Sequence, residues 1–583
     1  MSDDLSKWQY WWEFNKDPFI NLKEAIHAPE VVTGSDEYFL GALGRRVSID
    51  KIKPSESDIQ DVILPALRRA MVITENRDIL SSCIVAMAKI GRDQREFEIL
   101  QLFADSLGKH DQEIRETAAL AMGISGLPKA HRTLIDLAMD RPAGRRLVPG
   151  REVSVRTRSF AIYGLGLLAH RTGKIDLKRV IFEELATLLG DARLRNRNLK
   201  VAAIQAISIL NLQVSNPNDK EQRLISDALS SLEAFYDRRA GRGQDLIKSH
   251  VPPAIAKLLG RGNSPVHQRF KNKFLTALTA RKKRGNDIYR AATIALGKMA
   301  LSADTLKSEQ RFSEALLKYF HNGRDQQTRF FALMALGQIG GAANRNRLRT
   351  VLRKGRKSLD RPWAALGLGV MRHFALRGAN NPRPDTAVGD DLLKQFQKIR
   401  DPQARGAIAI ALGLGKYQSA APVLQAALEK YAKNGAFAGY LCIGLALMDH
   451  KGSREQIHEI VRGAIRRPNL LQQAAVSLGK LGDRSVTETL MVKMSAKEPN
   501  LAKLSAIATA LGFIGDRRTI RPLKKMLFDD KLTPLSRAFA AVALGGVADK
   551  EMLPWSAKLS RDVNYRAAVE TLTQSGTGVL DIL

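Results

Sequence analysis

Cysteine is almost absent from this sequence. The 583 residues include two cysteines, Cys83 and Cys442, and both stand inside apolar, helix-like stretches. A fold held together by disulfide bonds is therefore excluded, because such folds need several cysteines within a short chain. We predict that both thiols are buried side chains of the hydrophobic core.

Long apolar runs are also lacking. No stretch approaches the roughly 18 consecutive apolar residues that identify a membrane-spanning helix. The opening MSDDLSKW is acidic and has no apolar run, unlike a signal peptide. The expected location is the cytoplasm; the alternative is an exported protein whose signal peptide preceded Met1 and was removed.

Motifs for catalysis and cofactor binding are lacking as well. Ten histidines are scattered with no pair at metal-ligand spacing, and the start of a zinc-protease motif at His458 and Glu459 fails because Arg462 stands where the second histidine belongs. Neither a phosphate-binding Gly-rich loop nor a serine nucleophile motif occurs. The sequence therefore predicts a protein that is not an enzyme, with no catalytic residue, cofactor, metal site or small-molecule substrate.

A short phrase of small apolar residues recurs through the chain. It ends in Gly or Ala and a turn, as in AIAIALGLGK, and over the last third of the chain it returns every 33 residues. A fixed period of this length is typical of stacked repeats rather than of a globule built around one pocket. The regular copies centre on Gly413, Ala446, Gly479, Gly512 and Gly545, and less evenly spaced copies upstream centre on Gly44, Ala88, Gly123, Gly166, Ser208, Gly260, Gly297, Gly337 and Gly369.

Each repeat is predicted to be a pair of helices. In the copy that begins at Asp516, the apolar residues Ile520, Leu523, Met526 and Leu527 fall at helical spacing. Asp516 is placed to cap that helix. A second helix, apolar on most faces, follows the turn DDKLTP, and such a helix must be buried on several sides. The recurring glycine indicates close approach of neighbouring helices or a shared helix end.

About a dozen such pairs predict an all-α fold, an α-α superhelix or solenoid. Stacked helix pairs about 10 Å wide would form an open arc of roughly 100–150 Å. We divide the chain into a Trp-rich N-terminal capping helix over 1–30, irregular repeats with lengthened basic loops over 31–400, and regular repeats with a C-terminal cap over 401–583. The expected oligomeric state is a monomer.

Three of the five tryptophans, Trp8, Trp11 and Trp12, lie near the N-terminus. Their spacing places them on one face of a helix. The end of an open superhelix exposes core surface that a cap must cover. We therefore predict a structural capping role for these side chains; docking of a partner is the alternative.

The pattern Arg-x-x-Ala-x-x-Ala-Leu-Gly-x-x-Gly-Asp resembles HEAT repeats, in the short bacterial variety called PBS-lyase HEAT-like repeats. The chain is similar in this respect to large uncharacterised bacterial HEAT-repeat proteins, which implies an armadillo-type fold and a protein-binding scaffold. Two enzyme classes with HEAT-like solenoids, alkylpurine DNA glycosylases and bilin lyases, are the alternatives. The resemblance also implies that a basic residue eight positions before the repeated small residue joins successive repeats in a ladder; that register holds Arg115, Arg158, Lys200, Arg329, Arg361, Arg405 and Arg537.

The net charge is +33, from 92 Lys and Arg against 59 Asp and Glu, and it favours an acidic partner. Three basic runs outside the repeat pattern are the predicted contact points, and the residues of the third are expected to face solvent from one helix. The runs are a loop with Arg145, Arg146 and Arg151; the segment Arg281, Lys282, Lys283 and Arg284; and a helix with Arg345, Arg347, Arg349, Arg353, Lys354, Arg356 and Lys357.

Three interpretations of these runs stay open: contact with a nucleic-acid backbone, contact with an acidic protein, and a surface that is basic for solubility alone. Aromatic residues make up only 6% of the chain and few lie near the runs, so stacking on single-stranded bases is not expected. The predicted function is a non-catalytic scaffold with a strongly basic surface that binds an acidic macromolecule along its curved face.

Overall fold

The computed structural model describes residues 4–27, 52–238, 243–279, 284–355, 357–378, 385–464, 467–494, 501–573 and 576–583. These ranges contain helices and connections without a strand, apart from one isolated bridge between Gln94 and Phe97. The predicted all-α fold is confirmed. Within the same ranges, no helix combines the length and the apolar character needed to cross a bilayer.

Thirty-four α-helices lie in this described part of the chain. In chain order they are α1 (Trp8–Asn15), α2 (Asp17–Ile20), α3 (Leu22–His27), α4 (Leu64–Ile73), α5 (Arg77–Ile90), α6 (Ile99–Leu107), α7 (Gln112–Ser125), α8 (His131–Ala138), α9 (Pro142–Arg145), α10 (Val155–Arg171), α11 (Ile175–Gly190), α12 (Arg197–Ser208), α13 (Asp219–Asp237), α14 (Asp245–Lys248), α15 (Val251–Leu259), α16 (Pro265–Thr279), α17 (Asn286–Met299), α18 (Gln310–Asn322), α19 (Gln326–Ile339), α20 (Ala342–Lys354), α21 (Asp360–Arg377), α22 (Thr386–Lys398), α23 (Pro402–Leu414), α24 (Ala421–Tyr431), α25 (Gly435–Leu447), α26 (Arg454–Gly463), α27 (Pro468–Lys480), α28 (Val486–Met494), α29 (Leu501–Ile514), α30 (Ile520–Phe528), α31 (Pro534–Val547), α32 (Ala557–Ser560), α33 (Glu570–Thr573) and α34 (Val579–Ile582).

Thirteen pairs among these described helices repeat one arrangement, an outer helix followed by an inner helix. Each inner helix packs between two other inner helices and against the outer helix before it. The prediction of about a dozen stacked helix pairs is confirmed. The outer helices are α4, α6, α8, α11, α13, α16, α18, α20, α22, α24, α26, α28 and α30, and the inner helices are α5, α7, α10, α12, α15, α17, α19, α21, α23, α25, α27, α29 and α31.

Polar side chains fix where the inner helices begin. The Asp325 carboxylate accepts a hydrogen bond from the Thr328 backbone N–H (2.9 Å) at the start of α19. Asp, Asn, Ser or Thr caps α5, α7, α10, α12, α23, α25 and α31 in the same way. Such caps matter because the first N–H groups of a helix have no partner inside it. The predicted cap at Asp516 is also present, at the short turn before α30, where it accepts from the Arg518 N–H (2.9 Å).

Small residues bring neighbouring inner helices into backbone contact. A Cβ atom added at Gly123 on α7 would lie 2.1 Å from the carbonyl oxygen of Gly164 on α10. One added at Gly337 on α19 would lie 2.3 Å from the carbonyl oxygen of Gly367 on α21. Both distances are far shorter than a van der Waals contact between carbon and oxygen. The predicted close approach is confirmed, and it explains why the repeated phrase is rich in Gly and Ala.

The last repeat packs on the first, so the superhelix closes into a ring. Helix α31 lies along α5 with the same small-residue contact that joins successive repeats: a Cβ at Gly545 would lie 2.5 Å from the Ala86 Cα. Across the same junction, Arg517 pairs with Asp58 (2.9 Å). The expected open arc is therefore wrong. Its two ends meet because each repeat turns the chain by a small angle, and these turns add up to a full circle.

The inside of the ring is filled by the two ends of the chain. With about 8–10 Å between neighbouring helix axes, thirteen helices give a ring roughly 40 Å across. Residues 4–27, the N-terminal segment, contact the half of the ring from α21 to α29. The described residues of 549–583, the C-terminal segment, contact the half from α5 to α19. The two segments meet where the Phe14 and Tyr565 rings stack with centroids 5.2 Å apart.

The three N-terminal tryptophans belong to this filling. Trp8, Trp11 and Trp12 are 1%, 6% and 0% exposed. The Trp8 ring lies 4.8 Å from that of Tyr440 on inner helix α25, and Trp12 stacks with Phe19. The tryptophan helix was expected to cover the open end of an array, but the closed ring has no open end. It covers the inward faces of the inner helices instead.

The two cysteines are buried, as predicted. Both are fully buried, Cys83 on α5 and Cys442 on α25. Burial raises the pKa of each thiol to about 12, so both are protonated at neutral pH. They are core residues of two separate repeats.

Five of the seven basic residues that stand eight positions before the repeated small residue donate hydrogen bonds within their own repeat. The Arg329 Nε on α19 donates to the carbonyl oxygen of Phe320 on α18 (2.6 Å). The last carbonyl groups of a helix lack partners and carry partial negative charge, so a cation is stabilising there. Arg158, Lys200 and Arg537 make the same contact with the end of the preceding outer helix, and Arg115 donates to the carbonyl oxygens of Lys109 and His110 just after α6. For these residues the expected ladder between successive repeats is wrong. Arg405 on α23 does join successive repeats, because its guanidinium lies over the rings of Tyr431 (5.1 Å) and Phe437 (4.9 Å) in the next repeat.

Replacing Arg329 with leucine should lower the free energy of unfolding by about 1–3 kcal/mol, because a buried helix end loses a charged donor. Urea denaturation followed by circular dichroism measures this change. Arg324 is the matched control, since it is exposed in the same connection between α18 and α19; Arg324→Leu should leave stability unchanged within about 0.5 kcal/mol. Equal effects of the two substitutions would contradict the capping role.

Candidate functional site

The first predicted basic run lies in the connection from outer helix α8 to inner helix α10. Arg145 forms two hydrogen bonds with Asp140, at 3.0 and 2.8 Å. Burial raises the pKa of Asp140, but the donors Arg145 and the Val153 N–H outweigh it and hold the pKa below its usual value. Arg146 and Arg151 are exposed and pair with no described carboxylate. The loop therefore presents two cations to solvent, and the charge of Arg145 is largely neutralised.

The second run lies in the connection from outer helix α16 to inner helix α17. Arg281, Lys282 and Lys283 fall outside the residues that the structure describes. Arg284 is exposed, and its backbone N–H donates to the Tyr289 hydroxyl (2.9 Å). Its side chain has no ion pair with a described carboxylate.

The third run follows outer helix α20, which was expected to turn its basic residues to solvent. Arg345 instead pairs with Asp385 (3.1 Å), and Arg349 pairs with Asp391 (2.6 Å) at the start of the next outer helix, α22. That expectation is wrong for these two residues, because α20 and α22 pack side by side. Arg347 is also half-buried and donates to Asn344, whereas Arg353, Lys354 and Lys357 are exposed; Arg356 lies outside the described residues.

All three runs lie on the same edge of the ring. The described residues of the first two runs lie in connections from an outer helix to the following inner helix. In the third run, Lys354 is the last residue of outer helix α20 and Lys357 lies in the connection after it. Every such connection lies on one edge because the pairs are stacked alike. The runs belong to the repeats of α10, α17 and α21, five steps along the ring, which is about 50 Å at one helix width per step. The exposed cations that pair with no described carboxylate define the basic edge: Arg146, Arg151, Arg284, Lys354 and Lys357.

A second group of cations lies inside the ring and escaped the sequence analysis. Lys298 on α17 directly follows the repeated Gly297, and Lys257 on α15 lies three residues before Gly260; both point toward the C-terminal segment. Lys550 and Lys558 of that segment lie opposite them, around a cavity of about 540 Å³. A weak signal was available, since a lysine also follows the small residue at Ala88 and Gly479. The sequence could not bring positions 257 and 550 together without the ring.

The proteins of known structure to which this chain is similar have low sequence identity to it. No family model matches the sequence, and no curated protein matches it. Kap121p is 12% identical over an alignment covering 91% of this chain and 56% of that chain, with a TM-score of 0.35. Importin beta is 12% identical, with 83% and 73% of the two chains covered and a TM-score of 0.32, and an engineered protein is 15% identical, with 77% and 99% covered and a TM-score of 0.28. This chain thus spans about half the length of Kap121p, and TM-scores of this size support no statement about function.

Proposed function

We propose that this protein is a non-catalytic scaffold whose basic edge binds an acidic macromolecule. The observation that carries the proposal is that exposed cations from three separate basic runs lie on one edge of a closed ring. The exposed cations there have no described carboxylate to neutralise them. A surface that is basic only for solubility has no reason to concentrate such residues on one edge.

The edge is a better contact surface than the curved interior. The curved face was the expected binding face, but the N-terminal and C-terminal segments fill its concave side inside the ring. The edge offers cations over about 50 Å on a rigid frame of packed helices. Several charges on a rigid support bind an extended polyanion without reading its sequence. Such interactions also steer association and weaken as salt screens them.

A charge reversal on the basic edge tests the proposal. The triple variant Arg146→Glu, Arg151→Glu and Lys354→Glu should bind labelled duplex DNA or polyglutamate more weakly than the unchanged protein. For DNA, the slope of log affinity against log salt should fall by about one for each phosphate that the variant no longer binds. Fluorescence anisotropy at several salt concentrations measures both quantities. If the protein binds DNA tightly and polyglutamate does not displace the DNA, the partner is nucleic acid. If polyglutamate competes as well as DNA does, the partner is an acidic protein.

The matched control reverses three charges on the opposite edge. Lys129, Lys307 and Lys451 are exposed in connections from inner to outer helices. Changing all three to Glu alters the net charge by the same amount, so a general effect of net charge would weaken binding equally in both variants. Equal weakening, or no weakening by the first variant, would refute the basic edge as the contact surface.

A further inference from the structure

The cavity inside the ring lies between inner-helix ends and the C-terminal segment. Its volume is about 540 Å³, and its walls include the last residues of α10, α12, α15 and α17 together with residues of 550–561. Five of the lining residues are cationic, and Glu551 is the acidic one. The basic members are Lys257, Lys298, Lys550, Lys558 and Arg561.

Two of these lysines donate to carbonyl groups. The Lys257 Nζ donates to the carbonyl oxygen of Leu559 (2.9 Å), and the Lys550 Nζ donates to that of Ser125 (2.6 Å). A carbonyl dipole satisfies a donor but leaves the charge in place. An ammonium group also has three donors, so each lysine can bind a further acceptor in the cavity.

The carboxylates around the cavity are too few to balance its cations. Asp562 pairs with Lys298 (2.6 Å), and Glu551 lies 3.2 Å from Lys558. Glu551 also pairs with Arg171, a sixth cation beside the cavity. Among the described residues, the six cationic groups therefore have only two carboxylates within ion-pair distance. Such an excess of like charge is unfavourable, and it is relieved either when lysines lose their protons or when a further anion is bound.

The lysine pKa values show the same imbalance. Burial, with Lys298 and Arg561 nearby, lowers the pKa of Lys257 to about 7, and Asp562 only partly offsets this. Burial and Arg171 lower the pKa of Lys550 to about 7. Both side chains would normally titrate near 10.5. An anion in the cavity would restore their charge.

We propose that this cavity binds a small anion that carries two or more phosphate groups. A single carboxylate would neutralise only one of the excess charges, whereas a polyphosphate carries several. Lys and Arg are the side chains that bind phosphate oxygens through charge-assisted hydrogen bonds. The volume is in the range of small-molecule sites, which run from about 300 to 1,000 Å³. Arg561 lines the cavity with 48% of its side chain exposed, so it can contact both a bound ligand and solvent.

The competing explanation is that the lysines serve only to hold the C-terminal segment in the ring. Lys257→Met separates the two explanations. If Lys257 is purely structural, its loss removes a hydrogen bond to Leu559 and lowers the melting temperature. If the Lys257 charge serves to bind a ligand, Lys257→Met removes the cost of burying that charge. The melting temperature of the ligand-free protein should then stay the same or rise, and ligand binding should be abolished.

Isothermal titration calorimetry with inorganic tripolyphosphate tests the proposal on the full chain. We expect one site per chain, with affinity weakened roughly tenfold or more by Lys257→Met and by Arg561→Gln. Citrate, a tricarboxylate, should bind much more weakly. Lys398→Met is the matched control, because Lys398 is exposed at the end of outer helix α22 and does not line the cavity; this variant should bind as the unchanged protein does.

Proton uptake gives a second readout. Above about pH 7 the free Lys257 and Lys550 lose their protons, so a bound anion must bring protons with it and affinity should fall as the pH rises. Titrations in buffers of different ionisation enthalpy measure the uptake.

Other charged groups surround the two lysines. Those near Lys257 are Lys298, Asp562 and Arg561, and those near Lys550 are Arg171, Asp549, Glu551 and Arg92. His170 stays neutral because burial and Lys558 lower its pKa to about 4.

Three results would overturn the proposal. The first is no saturable binding of tripolyphosphate, and the second is binding that Lys257→Met and Arg561→Gln leave unchanged, which would place the anion elsewhere on the basic surface. The third is equal affinity for citrate, which would show that the cavity does not select phosphate. None of these results bears on the basic edge, whose test uses different residues and macromolecular ligands.

Discussion

Replacing Gly545 with valine should open the ring. The Cβ alone would lie 2.5 Å from the Ala86 Cα and 2.6 Å from its Cβ, so helix α31 must move away from α5. Overpacking of this kind costs about 1–3 kcal/mol or more even where the chain holds the neighbours together. At this junction the two helices lie at opposite ends of the repeat array. Their separation therefore lets the array relax toward an open arc, with a larger radius of gyration in small-angle X-ray scattering.

Two controls separate opening from simple loss of stability. A Cβ at Gly297 would lie 2.7 Å from the Ala335 Cα in the same kind of contact, but α17 and α19 belong to successive repeats. Gly297→Val should lower stability and leave the radius of gyration nearly unchanged. Gly463→Val, at a position with no atom within 4 Å of the added Cβ, should change neither. If Gly545→Val and Gly297→Val give the same scattering profile, the ring does not depend on this junction.

Glu309 joins two successive repeats. Replacing it with the uncharged glutamine should lower the free energy of unfolding by about 3–5 kcal/mol. Glu309 lies in the turn before α18 and binds Lys271 of α16 (2.6 Å), and both side chains are 0% exposed. It also accepts from the Leu301 N–H (3.0 Å) and from Gln268 (2.5 Å). Glutamine keeps one acceptor oxygen, replaces the other with an NH2 group that cannot accept, and leaves the Lys271 charge buried without a counter-charge.

Double substitution should rescue most of that loss. Lys271→Met with Glu309→Gln removes the uncompensated charge, so the double variant should be more stable than Glu309→Gln alone. The exposed pair of Lys220 and Asp176 (2.8 Å) also joins successive repeats and supplies the control: Asp176→Asn should cost less than about 1 kcal/mol. Guanidinium denaturation of these variants and the unchanged protein measures the differences. A single variant no less stable than the double one would show that the charge is not buried as described.

The pH dependence of this contact has a definite sign. Burial raises the pKa of Glu309, but the hydrogen bonds from Lys271, the Leu301 N–H and Gln268 outweigh burial and hold the pKa below its usual 4.5. A carboxylate with a lowered pKa stabilises the fold above its unfolded-state pKa and loses that contribution as the pH falls through the folded-state value. Stability should therefore fall in acid below about pH 4.5, and this fall should be shallower in Glu309→Gln.

The sequence predicted what depends on near neighbours in the chain. The 33-residue period and the apolar spacing after Asp516 indicated helix pairs, and Gly123 and Gly337 marked close approach of helices. Ring closure could not be predicted this way, because it depends on a small angle per repeat summed over thirteen repeats. An error of a few degrees in that angle changes a ring into an open spiral.

The charges show the same limit. The basic residues of α20 were visible in the sequence, but the partner of Arg349, Asp391, lies 42 residues away and meets it only through repeat stacking. Lys257 and Lys550 are separated by half of the chain and line one cavity because the C-terminal segment returns into the ring. Local patterns show how many cations a chain has, whereas the tertiary fold decides which of them remain unbalanced.

Closure also changes how the molecule can come apart. In an open array of repeats the outermost unit has one interface, so it frays first and unfolding proceeds inward from the ends. Each repeat of this ring has two interfaces, and α31 and α5 are buried against each other as other neighbouring inner helices are. Loss of any single repeat must break two interfaces at once. Unfolding therefore has no terminal repeat at which to begin, and all repeats of the ring should unfold together as one cooperative unit.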